Sequence, residues 1–219
     1  MKILLISSSP HIKRSNTFLL AKEVLRGASD KKMESEIVHL YDYSINFCLH
    51  CELCHKKIMS CSIEDDAVVI LKKMLQSDGI ILATPNYINQ ITGSMKTLFD
   101  RASHFIHCKR LLDKYIVGVV SSGSGQDKDV LEYIKYYAHT CGAQYSGGIS
   151  SRVPLSKEKM AQAYKLGKSL ISDIKKRRIY PDQIELIKKG REHFREIIKK
   201  RKNEWREEYL YWKDKGWVH

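Results

Sequence analysis

The sequence lacks any long uninterrupted apolar run, and this absence excludes an ordinary membrane-spanning helix. Such a helix needs about 20 consecutive apolar residues, and no apolar stretch in this chain approaches that length. The first ten residues, MKILLISSSP, turn polar too soon for a signal peptide. We therefore expect a folded cytoplasmic protein with no membrane partner, and a hydrophobic content of 43% supports a buried core.

Two glycine-rich nucleotide motifs are also missing. The chain contains neither GxGxxG nor GxxxxGK[ST], which disfavours a Rossmann dinucleotide site and a P-loop. If the protein binds an anionic cofactor, these absences favour a mononucleotide whose phosphate is held mainly by neutral donors.

The net charge of +13 is concentrated near the end of the chain. From Lys175 to His219 there are fifteen Lys or Arg residues against eight Asp or Glu residues. Acidic residues are interspersed and no nucleic-acid motif accompanies the charge, so a solvated helix face is the simplest interpretation. A basic nucleic-acid-binding module is the alternative from a different functional class.

Four of the six cysteines lie close together, with the spacing Cys-x2-Cys-x2-Cys-x6-Cys. They are Cys48, Cys51, Cys54 and Cys61. Two-residue gaps let thiolates in a tight loop turn toward one centre. Three thiols in such a row favour an iron–sulfur cluster, because structural zinc sites more often use two separated pairs and a redox dithiol needs only one. His50 and His55 leave zinc as an alternative, and redox-active or unligated thiols are another. Cys108 and Cys141 stand alone, and we interpret them as small buried hydrophobic residues.

Apolar segments alternate with helical patterns through the first 175 residues. Strands are expected at 2–9, 36–40, 79–85, 115–120 and 144–149, and helices from Asn16 or Thr17 and at 65–75, 95–105, 129–140 and 156–175. This repeat predicts an α/β fold with a doubly wound five-stranded parallel sheet. Ligands bind such sheets beyond the carboxyl ends of the strands, which directs attention to loops 7–17, 84–91 and 121–126.

The first of these loops suits a phosphate group. It leads from a strand into a helix, so backbone amides and the helix dipole point at one place. Ser9, Ser15, Asn16 and Thr17 add hydroxyl or amide donors. Positive charge is available from His11, Lys13 or Arg14.

The pattern changes after residue 178, which divides the chain into a domain at 1–178, including the cysteine loop at 48–61, and an extension at 179–219. Pro181 and Asp182 suit the first turn of a helix. The residues that follow predict a long charged helical tail with an apolar stripe and an aromatic end. A tail of this kind cannot bury its stripe alone, so we expect it to pack on the main domain or to form a subunit interface.

Three loop motifs, taken together, resemble the flavodoxin-like family of NAD(P)H-dependent FMN reductases. The first loop reads SSPHIKRSNT, the third strand leads into TPNYINQITGSMKTLFDR, and the fourth leads into SSGSGQDKD. The segment CLHCELCHKKIMSCSIEDD is similar to the cysteine loop of the iron–sulfur flavoprotein subgroup within that family.

The resemblance implies FMN and a [4Fe–4S] cluster as cofactors. The cysteine loop would hold the cluster and the first loop the flavin phosphate. The remaining flavin contacts would come from the other two loops, through Thr84, Pro85, Asn86, Tyr87, Ile88, Ser122, Gly123 and Ser124. It also implies a redox partner, either a ferredoxin-like protein or NAD(P)H, a small-molecule acceptor, and a homodimer or homotetramer. A cluster-free FMN or quinone reductase is the nearest alternative.

Overall fold

Five strands form one parallel sheet in the computed structural model, which describes residues 1–30 and 32–218. The strands are β1 (Lys2–Ser7), β2 (Glu34–His39), β3 (Gly79–Pro85), β4 (Tyr115–Ser122) and β5 (Gln144–Arg152). They lie in the order β2-β1-β3-β4-β5, and every neighbouring pair is parallel. This is the strand order of flavodoxin-like sheets, so the predicted fold class is confirmed.

Helices cover both faces of the sheet. They are α1 (Asn16–Ala28), α2 (Leu53–Lys56), α3 (Ala67–Gln76), α4 (Gly93–Asp100), α5 (Ser103–Cys108), α6 (Lys128–Cys141), α7 (Lys157–Lys176), α8 (Pro181–Lys200) and α9 (Arg206–Asp214). Among the described residues, no helix combines the length and apolarity needed to cross a bilayer. The expected division at residue 178 falls in the turn between α7 and α8.

The strands are buried on both faces, which explains their continuous apolar runs. Side chains of β1 alternate, so Ile3 and Leu5 pack with α1 and α7 while Leu4 and Ile6 pack with α3 to α6. The lone cysteines, Cys108 and Cys141, are fully buried. Burial raises the pKa of the Cys141 thiol to about 12. Because both cysteines are buried, they occupy positions where small hydrophobic side chains are expected.

The single helix predicted over residues 95–105 is wrong. The segment forms α4 and α5, separated by Arg101 and Ala102, where Ala102 leaves the helical region with φ −97° and ψ 25°. The guanidinium of Arg101, at this break, is held by the carboxylate of Asp65. Sequence periodicity alone carried no sign of that distant contact.

The tail is two helices, α8 and α9, rather than one long helix, joined by a turn at residues 201–205. The turn lets Trp205 and Trp212 pack against Cys108 and Ile198 in a third apolar cluster. A straight helix of this length would leave its aromatic end exposed to water. The tail therefore packs on its own main domain, while its last residue, His219, and the side chain of Lys13 lie outside the described residues.

Candidate functional site

The loops after β1, β3 and β4 meet around a cavity of about 220 Å³ at the carboxyl edge of the sheet. Its lining comprises Ser9, His11, Arg14, Ser15, Asn16, Thr17, Pro85, Asn86, Tyr87, Ser121, Ser122, Gly123 and Val153. Ten of these thirteen residues were expected from the sequence. The topology brings together three loops that are far apart along the chain, and we call this cavity the flavin pocket after the cofactor that the sequence motifs predict there.

The amino end of α1 forms one wall of the flavin pocket. Ser15 caps the helix by accepting a hydrogen bond from the N–H of Phe18 at 3.3 Å. The hydroxyl groups of Thr17 and Ser121 lie 2.5 Å apart, which links the first loop to the loop after β4. Free N–H groups and the positive end of the helix dipole therefore face the cavity, an arrangement that favours an anion such as phosphate.

A tight turn after β3 forms another wall. Tyr87 and Gln90 exchange backbone hydrogen bonds of 3.0 and 3.1 Å. The two residues between them, Ile88 and Asn89, both have positive φ, 51° and 56°, as a type I′ turn requires. Positive φ is unusual for a β-branched residue, and Ile88 is 99% exposed. The turn thus projects an apolar side chain beside the pocket.

Two features fit a flat ring beside the loop after β4. A Cβ atom added to Gly123 would meet no heavy atom within 4 Å, so open space lies directly against the backbone. The side-chain amide of Asn86 donates to the carbonyl of Gln126 at 2.5 Å, while its buried oxygen has no partner among the described residues. That oxygen is therefore an unused hydrogen-bond acceptor in the wall of the pocket.

Three residues expected at the cofactor lie outside the pocket lining: Thr84, Ile88 and Ser124. Thr84 is fully buried, and its hydroxyl accepts from the N–H of Thr92 and donates to the carbonyl of Pro85. These two hydrogen bonds hold the conformation of the loop from outside the pocket lining. Conversely, the lining includes Arg14, Ser121 and Val153, which were not among the expected cofactor contacts. Arg14 had been named only as a possible source of positive charge, and Ser121 is the first residue of the loop expected at 121–126. Val153 belongs to no motif.

All four clustered cysteines line a second cavity of about 360 Å³. The loop that carries them connects β2 to α3, and the cavity is completed by the start of α3 and the residues around the α4–α5 break. Cys48 and Cys51 are exposed, whereas Cys54 and Cys61 are half-buried, and all are free thiols. We call this cavity the cysteine pocket.

Hydrogen-bond donors lie beside the sulfur atoms of Cys48, Cys51 and Cys61. Sγ of Cys48 accepts from the N–H of His50 at 3.4 Å, and Sγ of Cys51 lies 3.0 Å from the hydroxyl of Ser62. Sγ of Cys61 accepts from the N–H of Ile63 at 3.5 Å and from Arg101 at 3.1 Å. The Ser62 hydroxyl and then neighbouring backbone N–H groups lower the pKa of Cys51. Such donors stabilise thiolate, the form that binds metal.

Asp65, Asp66 and Arg101 close the base of the cysteine loop. Arg101 reaches the Asp65 carboxylate with both terminal nitrogens, at 2.6 and 3.0 Å, and both side chains are almost fully buried. Asp65 also accepts from the N–H of Asn46, and Asp66 from the N–H of Ser44. Burial alone would raise the pKa of Asp65, but Arg101 and the backbone donors hold it below the usual value.

These contacts give the motif residues SIEDD and FDR a physical role. Asp65 fixes Arg101, and Arg101 in turn donates to a cysteine sulfur. Neither residue was selected as a site residue from the sequence, although both stood in quoted motifs. Only the fold shows that the two motifs meet.

His55, one of the two histidines of the loop, forms a cluster with His107 and Glu208 in which one ligand atom from each residue lies within 4.8 Å of the others. His55 faces the carboxylate of Glu208 through Nδ1 at 2.7 Å and the hydroxyl of Ser103 through Nε2 at 3.4 Å, so both ring nitrogens are engaged. Nδ1 of His107 binds the other Glu208 oxygen at 3.0 Å, and the two imidazoles stack with an interplanar angle of 18°.

Comparison with known proteins agrees with this geometry. The family model for NADPH-dependent FMN reductase matches residues 1–153. An iron–sulfur flavoprotein from Methanosarcina thermophila is 30% identical over 88% of this chain and 100% of its own length. One from Archaeoglobus fulgidus is 29% identical over the full length of both chains, and another from that organism is 40% identical over 56% of this chain and 60% of its own.

Solved structures show the same fold. A flavone reductase superposes with a TM-score of 0.66 at 23% identity, covering 80% of this chain and 63% of its own. Flavodoxin 1 from Bacillus cereus gives 0.58 at 16% identity, covering 78% and 98%. The first three curated relatives are matched over only 52% to 60% of their length. The extent of the family match and the relative from Methanosarcina thermophila show that the chain belongs to the NADPH-dependent FMN reductase family, among the iron–sulfur flavoproteins.

Proposed function

We propose that this protein is an FMN-dependent oxidoreductase that couples FMN to a [4Fe–4S] cluster and so passes electrons between two-electron and one-electron redox partners. The observation that carries the proposal is the pairing, in one chain of this family, of a flavin pocket with a cavity lined by four free cysteines. FMN can exchange one or two electrons and a cluster of this kind exchanges one, so together they supply the conversion.

The residues of the flavin pocket would bind and orient FMN. The amino end of α1, with Asn16 and the neighbouring hydroxyl groups, would hold the phosphate. The backbone at Gly123 leaves room for the edge of the ring, and Tyr87 and Asn86 would border it. No side chain in this pocket needs to act as an acid or base, because hydride and electron transfer require none.

The cysteine pocket would hold the cluster through Cys48, Cys51, Cys54 and Cys61. Its donor set fits this group: four thiols share one cavity, and hydrogen bonds reach three of the sulfurs. Hydrogen bonds to ligand sulfurs stabilise the more negative, reduced state and raise the reduction potential. Arg101 would contribute most, because it brings a full positive charge to Cys61.

The test is anaerobic purification followed by iron, sulfide and flavin analysis. We expect about 4 mol of iron and about 4 mol of sulfide per chain, with broad absorption at about 400 nm beneath the flavin bands. Cys51→Ala should lose most of the iron and keep FMN, while the matched control Cys141→Ala, a buried cysteine outside the pocket, should keep both. FMN without iron or sulfide in the wild-type protein would overturn the cluster and leave a cluster-free FMN or quinone reductase.

The partners belong to the same proposal. The electron donor would be a ferredoxin-like protein or NAD(P)H, the acceptor a small molecule, and the assembly a homodimer or homotetramer. Stopped-flow reduction with each donor compares the rates of flavin bleaching, and analytical ultracentrifugation gives the number of chains.

A further inference from the structure

The C-terminal extension contacts the cysteine loop directly. Residues 201–212, here called the docking segment, touch the loop at three successive points, Glu52, His55 and Ile58. These three residues lie within or just after the Cys51-x2-Cys54 pair. About 150 residues of sequence separate each of them from its partner.

The first contact is an ion pair between Glu52 and Arg201. Arg201 reaches both carboxylate oxygens of Glu52, one of them at 2.8 Å, and the indole N–H of Trp205 adds a third bond at 3.1 Å. Glu52 lies between two of the cysteines and has a φ of 58°. A non-glycine residue adopts this conformation at a cost in free energy, so the backbone there needs an external restraint, and Arg201 provides one.

The second contact is buried. Glu208 has no solvent exposure, and its two oxygens are bound by His55 and His107. The ring of Trp205 packs over both imidazoles, with centroid distances of 4.6 and 4.9 Å. Removing water from a carboxylate is unfavourable unless donors replace it. Glu208 therefore stays in this position only when His55, the residue after Cys54, is in place to meet it.

The third contact holds the end of the turn. The backbone N–H of Ile58 donates to the carboxylate of Glu207 at 2.7 Å, and the Ile58 side chain joins the apolar cluster of Trp205 and Trp212. The loop thus contacts α9 through its backbone as well as through its side chains. Together the three contacts restrain the segment from Glu52 to Ile58, which carries Cys54.

We propose that the docking segment positions Cys51 and Cys54 for cluster ligation, with Arg201 and Glu208 as its positioning residues. This inference rests on the proposed function, because it assumes that these cysteines hold the cluster. It assigns the charged extension a role inside its own chain: the extension sets the shape of the ligand loop before the cluster enters.

The experiment compares the full-length wild type with Arg201→Ala and Glu208→Gln. Hydrogen exchange at amides 53–58 is measured after the metal is removed, and release of iron to a ferrous chelator is measured in the loaded protein. We expect both rates to rise about tenfold in each variant, the effect of losing one charge-assisted contact. Bound FMN should be unchanged. Arg201→Lys keeps the charge and should restore part of the protection.

The matched control is Lys189→Ala, which removes a cation of α8 whose ion pair with Glu185 is exposed. It should match wild type in both rates. The double variant Glu52→Gln with Arg201→Ala should exchange amides 53–58 and release iron no faster than Arg201→Ala alone, because both changes break the same contact. A general loss of structure would instead raise exchange throughout α8 and α9.

The outcomes separate the two proposals. Wild-type protein that binds no iron would overturn the proposed function and, with it, the ligating role of the loop. Wild-type protein that binds iron, while both variants release it and exchange amides 53–58 at the control rate, would overturn the positioning role alone.

Discussion

Lys109 carries its ammonium group where almost no water reaches. The residue is 1% exposed, its Nζ donates to the carbonyl of Thr140 at 2.8 Å, and the ring of Phe194 lies 5.4 Å away. Burial disfavours the charged form and lowers the pKa of Lys109 from 10.5 to about 8. A single residue therefore links the stability of this region to pH.

The sign of that linkage gives a prediction. Between pH 8 and 10.5 the unfolded chain holds a proton on Lys109 that the native state has released, so the free energy of unfolding rises with pH. Relative to Lys109→Met, the wild type should gain up to about 3 kcal/mol across this window. Urea unfolding at several pH values measures the difference, and the exposed Lys189→Met serves as control. Parallel pH curves for wild type and Lys109→Met would contradict the assignment.

Ser15 and Asn16 are neighbours with separable roles. Ser15 is buried and caps α1, whereas Asn16 is exposed at the mouth of the flavin pocket. Ser15→Ala should lower the free energy of unfolding by about 1 kcal/mol through loss of the cap. Asn16→Ala should leave stability within about 0.5 kcal/mol and weaken FMN binding about tenfold, since it removes a donor to a charged phosphate. Flavin titration of the apoprotein and urea unfolding measure the two effects, and equal FMN affinity in Asn16→Ala and wild type would remove Asn16 from the site.

At the scale of elements, α1 and α7 pack so closely that their backbones touch at glycine. A Cβ atom on Gly167 would lie 1.9 Å from the carbonyl oxygen of Val24 and 2.7 Å from the nitrogen of Ala28. Both obstacles are backbone atoms, which cannot move aside as a flexible side chain can. The two helices would have to separate, and they cover one whole face of the sheet.

Gly167→Ala should therefore lower the free energy of unfolding by about 3 kcal/mol, as overpacking does. Gly93→Ala is the control, because its Cβ would meet no heavy atom within 4 Å, and it should be close to neutral. Chemical denaturation compares the midpoints. A loss below about 0.5 kcal/mol in Gly167→Ala would show that the helices accommodate the methyl group.

The observed helices and strands show which element boundaries the sequence predicts. Each expected strand overlaps an observed one, because a continuous apolar run is dictated by burial on both faces. The α4–α5 break and the turn after α8 were missed. Both occur where a side chain, Arg101 or Arg201, binds the distant cysteine loop, at Cys61 or at Glu52, and periodicity within a segment contains no information about such partners.

At the scale of the whole molecule, the net charge of +13 and the aromatic tail suggested a nucleic-acid surface as the alternative function. In the folded chain Trp205 is 6% exposed and Trp212 is fully buried, so their rings cannot stack on bases. Arg201 is paired with Glu52. The tail keeps dispersed surface charge, and its third tryptophan, Trp217, is half-buried.

Nucleic-acid binding should accordingly be weak and electrostatic. We expect no affinity for labelled single-stranded DNA tighter than about 1 μM at about 150 mM salt, and a steep fall in affinity as salt increases. Fluorescence anisotropy at several salt concentrations measures both. Submicromolar binding that resists salt would revive the nucleic-acid module.

The sequence by itself determined the strand–helix alternation, the ligand edge of the sheet and the cysteine spacing, because these are local patterns whose periods and gaps are written along the chain. Ser15 at the helix start and the loop after β3 could be selected for the same reason. That these loops lie next to one another followed from the predicted sheet, because parallel strands end at the same edge.

Only the tertiary structure decided what surrounds the cysteines. Arg101 reaches Cys61 across 40 residues, and Glu208 reaches His55 across 153. A buried carboxylate or guanidinium is stable only where folding brings donors or acceptors to it, and those partners depend on how helices pack rather than on their order in the chain. The tail, a charged helix in the sequence, thus contacts the cysteine loop in the fold.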